Sequence, residues 1–134
     1  MLNQTVEYAL RAVIHIGRDP SVSFRASEVA KAIDAPRDYV AKILGQLVRA
    51  GILESGRGPC GGFRLLGPPE ETRLADVVNV FGQSVSRRCL LGHGVCGETP
   101  SCAVHKRWAP IATSMNAFFA DTTLADLMLN RSLT

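Results

Sequence analysis

Cys89, Cys96, Cys102 and His105 fall in one short Gly-rich segment with the spacing C-x6-C-x5-C-x2-H, and the only other cysteine of the chain is Cys60. Three thiols and an imidazole this close in sequence can converge on one metal centre without the rest of the fold arranging it. Three chemistries compete for them. Cysteine can serve as a small buried hydrophobe, but Arg88, Gly92, His93, Gly94, Gly97, Thr99 and Pro100 supply no apolar partners for that role. A structural zinc of Cys3His type ordinarily uses a C-x2–4-C knuckle, which this segment lacks. An iron–sulfur cluster suits the wider spacing, and the glycines offer backbone N–H groups to its sulfides. Arg87 and Arg88 beside Cys89 would offset the negative charge of a thiolate-ligated cluster. His93 reads as a solvated loop histidine.

The elements that must position these donors follow from the flanking pattern. Ser101 is a suitable N-cap, which puts Cys102 in a first helical turn where the helix dipole favours a thiolate, with His105 on the same face. That last helix, from near Ser101, carries Val104, Trp108, Ile111, Ala112, Met115, Phe118 and Phe119, with Pro110 inside it; Asp121–Leu129 reads as a short terminal helix or turn. Upstream, Thr72 is predicted to cap a helix burying Leu74, Val77, Val78 and Phe81. The intervening segment is too long to be a simple connector.

The N-terminal half has a different organisation. Thr5 is predicted to cap a helix with Tyr8, Ala9, Ala12, Val13 and Ile16 on one face, ending near Gly17 and Asp19-Pro20. Ser27 is predicted to cap a helix through Asp34, and Pro36 to open a third from Arg37 to Ala50, closed by Gly51. Two short strands, Ile52–Ser55 and Phe63–Leu66, flank a glycine-rich connection. Helix, Pro-led helix, Gly, strand, Gly-Arg-Gly tip and strand together predict a winged helix-turn-helix.

In that fold the second helix enters the major groove with its first turns toward base edges. Arg37 and Lys42 could meet phosphate or guanine, Asp38 could accept from cytosine N4, and Tyr39 lies among them, while Ala41 offers only a small apolar contact. Arg57 at the wing tip is placed for a narrow minor groove. Arg25 and Arg64 complete the predicted DNA-contacting set. The formal net charge of +3 permits nucleic acid as a partner without establishing it.

Composition bounds the remaining classes. At 134 residues and 46% hydrophobic, the chain is long enough for one compact unit with a core. No apolar stretch approaches the roughly 20 residues that span a bilayer, and the N-terminus lacks a signal-peptide pattern. A cytoplasmic protein with no membrane partner is expected, and in a reducing cytosol four cysteines suit metal or redox chemistry better than disulfides. No nucleophile–base constellation or phosphate-binding loop suggests an enzyme or a small-molecule substrate, so no catalytic residue is assigned. An electron carrier would need no winged helix.

Val6-Glu7-Tyr8-Ala9-Leu10, the run Gly51–Leu65 through the wing, the cysteine run with His105, Trp108, and Thr122–Leu127 together resemble the winged-helix iron–sulfur transcription regulators of the IscR/NsrR family, over essentially the whole chain. The resemblance implies a mainly α fold with a small β-hairpin wing and a long C-terminal dimerisation helix. It implies a homodimer on partly palindromic double-stranded operator DNA, a repressor that reports cluster status, iron, nitric oxide or redox stress. IscR-like members hold [2Fe-2S] with three cysteines and a histidine matching His105. NsrR-like members hold [4Fe-4S], in some with an acidic residue of the partner's first helix at the position of Glu7. Glu7 has an equal alternative in an i,i+4 salt bridge with Arg11. Two departures stand out: the first cysteine gap is one residue longer than in IscR, and Cys60 occupies a wing position that is usually glycine. Ala41 stands where IscR has a glutamate, so operator sequence does not transfer.

The resulting expectation is residues 1–81 as the DNA-binding domain, 82–103 as the cluster loop and 104–134 as dimerisation helix and tail, one compact unit. Cys89, Cys96 and Cys102 would be the metal ligands. A metal-free thiol-based redox regulator, or a structural-zinc DNA-binding protein, are the alternatives on the same fold.

Overall fold

The computed structural model describes residues 2–59, 61–82, 90–91 and 103–128. Its elements in chain order are α1 Gln4–Gly17, α2 Ala26–Ile33, α3 Arg37–Arg49, β1 Leu53–Ser55, β2 Phe63–Leu65, α4 Leu74–Val80, α5 His105–Asp121 and α6 Leu124–Met128. This is the mainly helical architecture with a hairpin wing that the spacing predicted.

The apolar stripe of α1 (Val6, Ala9, Val13 and Ile16) is fully buried. It packs against α2, α3, α4, β2 and α6, so one helix is the floor on which the others sit. From α2, Val29 and Ile33 enter the same core, and from α3, Val40, Ile43, Leu44 and Leu47. Each such side chain taken out of water contributes roughly 1.5–3 kcal/mol.

Helix starts differ from the predicted caps. Asn3, not Thr5, caps α1, its Oδ1 accepting from the Val6 amide at 2.9 Å. Arg25, not Ser27, precedes α2, and its backbone N–H donates to Glu28 Oε1 at 3.4 Å. Arg73, not Thr72, precedes α4, with its N–H on Asp76 Oδ2 at 3.0 Å. In the last two cases an acid three residues inside the helix reaches back to the cap residue, so a Ser or Thr oxygen is not required. The end of α3 follows expectation: Gly51 has φ 81°, the Gly51 amide donates to Val48 and the Ile52 amide to Leu47, closing a Schellman turn. Between α2 and α3 the left-handed residue is Asp34, at φ 55°; aspartate tolerates that region better than most side chains.

The wing is an antiparallel pair in the register Leu53↔Leu65, Glu54↔Arg64, Ser55↔Phe63. Phe24 adds a further backbone bridge to β2, donating to Phe63 O at 2.9 Å and accepting from Phe63 N at 2.7 Å. Its ring lies 5.0 Å from the imidazole of His15 on α1.

The C-terminal region closes back on α4. Leu124 N donates to Thr72 O at 2.9 Å and Leu74 N to Thr122 O at 3.0 Å. Arg73 Nη1 donates to Ala120 O at 2.9 Å, placing a cation on the exposed carbonyls at the end of α5. Leu124 is fully buried against α1. The predicted long helix begins at His105 rather than near Ser101: Ala103 and Val104 form a turn, and the Val104 carbonyl accepts the first helical bond, from Trp108 at 2.8 Å. The terminal element predicted from Asp121 starts later, as α6 at Leu124, because α5 itself runs through Asp121 and Thr123 and Asp126 cap α6 reciprocally.

His15 titrates below its ordinary value of 6.5, first because burial disfavours the imidazolium and second because Arg18 is a nearby cation. The unfolded chain therefore binds this proton more readily than the folded one, and His15 withdraws stability as pH falls below about 6.5. In urea titrations at fixed protein concentration, the difference in midpoint between wild type and His15→Asn is expected to shift in favour of the variant on going from pH 7.5 to pH 5.5; a constant difference would contradict it.

Candidate DNA interface and metal centre

The start of α3 presents two kinds of residue. Arg37 and Asp38 stand in solvent, with side chains 67% and 94% exposed and paired to each other at 3.4 Å. An exposed pair of this sort holds at most about 1 kcal/mol, so both groups can be re-partnered by DNA at little cost. Lys42 is exposed one turn on, and Ala41 is half-buried.

Tyr39 is different. Its ring stands edge-on to Tyr8 at 5.7 Å and 76°, and its hydroxyl hydrogen-bonds to Thr5 Oγ1. Tyr8 in turn accepts from Gln4 Nε2 at 3.1 Å. Tyr39 was predicted among the residues that meet DNA; here it ties the first turn of α3 to the first turns of α1. Sequence reasoning missed Thr5 and Tyr8 in this role, because their partner lies 34 and 31 positions away and no local pattern announces the pairing.

At the wing, Arg57 is exposed beside Gly58, whose φ of 88° suits glycine. Arg64 pairs with its cross-strand neighbour Glu54. Arg25 donates through its guanidinium to the Pro59 carbonyl at 3.2 Å. Of the predicted DNA set, Arg37, Asp38, Lys42, Arg57, Arg25 and Arg64 are all exposed, Arg25 and Arg64 while also holding a partner within the fold, and Tyr39 is half-buried against Thr5 and Tyr8.

Cys89, Cys96, Cys102 and the wing residue Cys60 lie outside the described residues. His105, the fourth predicted donor, is the first residue of α5 and is half-buried. Among the described residues no three His, Cys, Asp or Glu side chains converge. Three thiolates and an imidazole are a donor set that fits an iron–sulfur cluster. Glu7 is exposed on α1. The alternative pairing of Glu7 with Arg11 is not formed: Arg11 lies with its guanidinium 5.8 Å from the Tyr8 ring centroid and donates to the Ile33 carbonyl at 2.6 Å. That carbonyl, at the end of α2, is a better partner because it is fixed and lacks a competing donor at the helix terminus.

The chain is similar to known proteins. The family model described as Rrf2, iron-dependent transcriptional regulator, matches residues 2–130. A protein of Aquifex aeolicus (strain VF5) named as an HTH-type transcriptional regulator is 31% identical over 131 residues, 96% of this chain and 91% of that one. BadM of Rhodopseudomonas palustris, also named as an HTH-type regulator, is 35% identical over 80 residues, 60% of this chain and 51% of its own. Among solved structures, CymR (YrzC), the global cysteine regulator of B. subtilis, superposes with TM-score 0.83 at 20% identity, covering 98% of both chains. IscR of T. potens superposes with TM-score 0.76 at 17% identity, covering 97% of this chain and 87% of that one.

Tyr39→Phe removes the hydroxyl bond to Thr5 while keeping the ring contact with Tyr8. A loss of about 1 kcal/mol in urea unfolding is expected, with Thr5→Val giving a similar loss and the double variant little more. Additive losses in the double-mutant cycle would show that the two hydroxyls do not act on each other.

Proposed function

The chain belongs to the Rrf2 family of transcriptional regulators, and from that membership we propose a homodimeric, operator-binding repressor whose DNA affinity is set by an iron–sulfur cluster on Cys89, Cys96 and Cys102. His105, or Glu7 of the partner subunit, would complete the ligand set, with [2Fe-2S] or [4Fe-4S] following from which of them does. The protein is a regulator and not an enzyme.

The observation that carries this reading is the position of His105 at the head of a helix that has little to cover it. Only Ala112 of α5 is buried within the chain, whereas Ile111 and Phe118 are each 52% exposed. Large side chains left in water along one helix favour a second copy. The far end of α5 is held to α4 by Arg73 on Ala120 and by the backbone bonds between 72–74 and 122–124. A group that organises the segment before His105 therefore acts on one end of a helix whose other end is fixed to the DNA-binding unit. A dimer on a near-palindromic site presents its two recognition helices one DNA turn apart, about 34 Å, and a change along α5 alters that spacing. When bound, the cluster supplies a centre whose charge and ligation respond to oxidants or nitric oxide. Arg37, Asp38, Lys42 and Arg57 would meet the operator, Arg57 through the minor groove. No helix among the described residues is long and apolar enough to cross a membrane.

Three experiments test the proposal. Anaerobically purified protein is expected to be coloured, with Mössbauer spectra that change in one of His105→Ala and Glu7→Ala. Operator affinity should differ between cluster-loaded and apo protein, with Cys102→Ala behaving as apo; equal affinities in all three sink the switch. Colourless protein whose affinity follows reversible cysteine oxidation would identify the metal-free thiol regulator instead. For the dimer, Ile111→Glu combined with Phe118→Glu is expected to give a monomer in sedimentation equilibrium with operator affinity reduced by at least about a hundredfold, since one half-site's contacts are lost; an unchanged dimer would place the interface elsewhere.

A further inference from the structure

We propose that Arg25 is a positioning residue for the wing: it holds the glycine-rich tip in the orientation that aims Arg57 at DNA, and does not itself bind phosphate. The proposal rests on the reading of Arg57 as a DNA contact.

The tip runs from Gly56 to Gly62 and contains four glycines, 56, 58, 61 and 62. Glycine loses more conformational freedom on ordering than any other residue, so such a tip needs external restraints to hold one direction. Among the described residues of the hairpin, the restraints are the Gly56 amide on Gly62 O at 2.8 Å and the Gly61 amide on Gly58 O at 3.0 Å. Those bonds shape the tip without fixing it to the body of the protein.

The attachment comes from residues 24 and 25. Phe24 joins the wing as a backbone rung on Phe63, and Gly62, at φ 151°, lets the two chains approach so closely that a Cβ there would lie 2.7 Å from the Phe24 carbonyl oxygen. The next residue, Arg25, is held by its backbone N–H on Glu28 Oε1 at 3.4 Å, at the start of α2. Its guanidinium reaches out to the Pro59 carbonyl at 3.2 Å, two positions beyond Arg57. One residue thus connects the helix-turn-helix to the far side of the tip. A guanidinium is well matched to this contact, because its charge strengthens a bond to a carbonyl and its planar fork limits the ways it can be satisfied.

A phosphate contact and a positioning role differ in a measurable way. A protein cation on a phosphate adds about 0.9 to the slope of log K against log salt, and its loss adds to the loss of other contacts. A positioning residue loses its effect once the group it aims is gone. Affinity for a duplex selected from random sequence by the wild-type protein would be measured from 50 to 300 mM salt for wild type, Arg25→Ala, Arg57→Ala and the double variant. Arg25→Ala is expected to weaken binding about tenfold in the wild-type background, and less than twofold, with unchanged salt slope, in the Arg57→Ala background. In the free protein, the 15N heteronuclear NOE of the Gly58 and Gly61 amides should fall in Arg25→Ala and stay at the wild-type value in Arg57→Ala. Arg25→Met, which keeps the aliphatic stem beside α2, should reproduce both effects if Arg25→Ala perturbs folding. Additive losses with a lower slope in the Arg57→Ala background overturn the proposal in favour of direct phosphate binding. An unchanged NOE in both Arg25 variants overturns the attachment itself. If Arg57→Ala binds as wild type, the proposal also falls, and a lowered NOE in Arg25→Ala would then show that the DNA role of Arg57 was the failed half.

Discussion

Burial of one face of α1 is the constraint on which the rest of the molecule depends. Val6, Ala9, Val13 and Ile16 are withdrawn completely from water, and the surfaces that cover them come from α2, α3, α4, β2 and α6. A helix-turn-helix pair is too small to enclose a core by itself, and α1 supplies the third wall. Its polar flank is used as well: Thr5 and Tyr8 hold the start of α3 through Tyr39, Arg11 closes the end of α2, and His15 lies against Phe24 beneath the wing. The same helix therefore meets the recognition helix, the turn before it and the base of the wing.

This sharing sets the mechanical character of the surface proposed to face DNA. Arg37, Asp38 and Lys42 are left in solvent, while the backbone beneath them is fixed by Val40, Ile43, Leu44 and Leu47 and by the anchored ring of Tyr39. Exposed charge on a rigid support can exchange an internal or water partner for a phosphate or base edge with little reorganisation. The wing is the softer element, since its two strands are three residues each and its tip is largely glycine. Attachment to Phe24 and Arg25 compensates for what so short a hairpin cannot supply on its own.

The C-terminal part obeys a different balance. Helix α5 runs for 17 residues yet buries little of itself within the chain. Helices of this length in water draw most of their stability from packing, and Pro110 removes one backbone donor from the interior. Its two ends are nevertheless specified: Val104 accepts the first backbone bonds and Arg73 covers the last carbonyls. Such a helix is well formed but under-covered, as the proposed dimer would require.

Much of this was legible in the residues themselves. The 3.6-residue recurrence of Val29, Ala30 and Ile33, the Pro36 and Gly51 boundaries of α3, and the two short strands around Gly56–Gly62 are local signals, and each is matched by an element in the expected place. The proposed donor set Cys89, Cys96, Cys102 and His105 is also grouped by closeness in sequence alone, and its three cysteines lie outside the described residues. What the sequence could not determine are the pairings that close over long loops. Tyr39 on Thr5, Arg25 on Pro59, Arg11 on Ile33 and Arg73 on Ala120 join residues 22 to 47 positions apart. An arginine or tyrosine reads alike in sequence whether its polar end meets DNA, solvent or a carbonyl of its own chain. Only the folded backbone decides, by bringing an unsatisfied acceptor within reach of one long side chain and leaving another, such as Arg57, out in solvent.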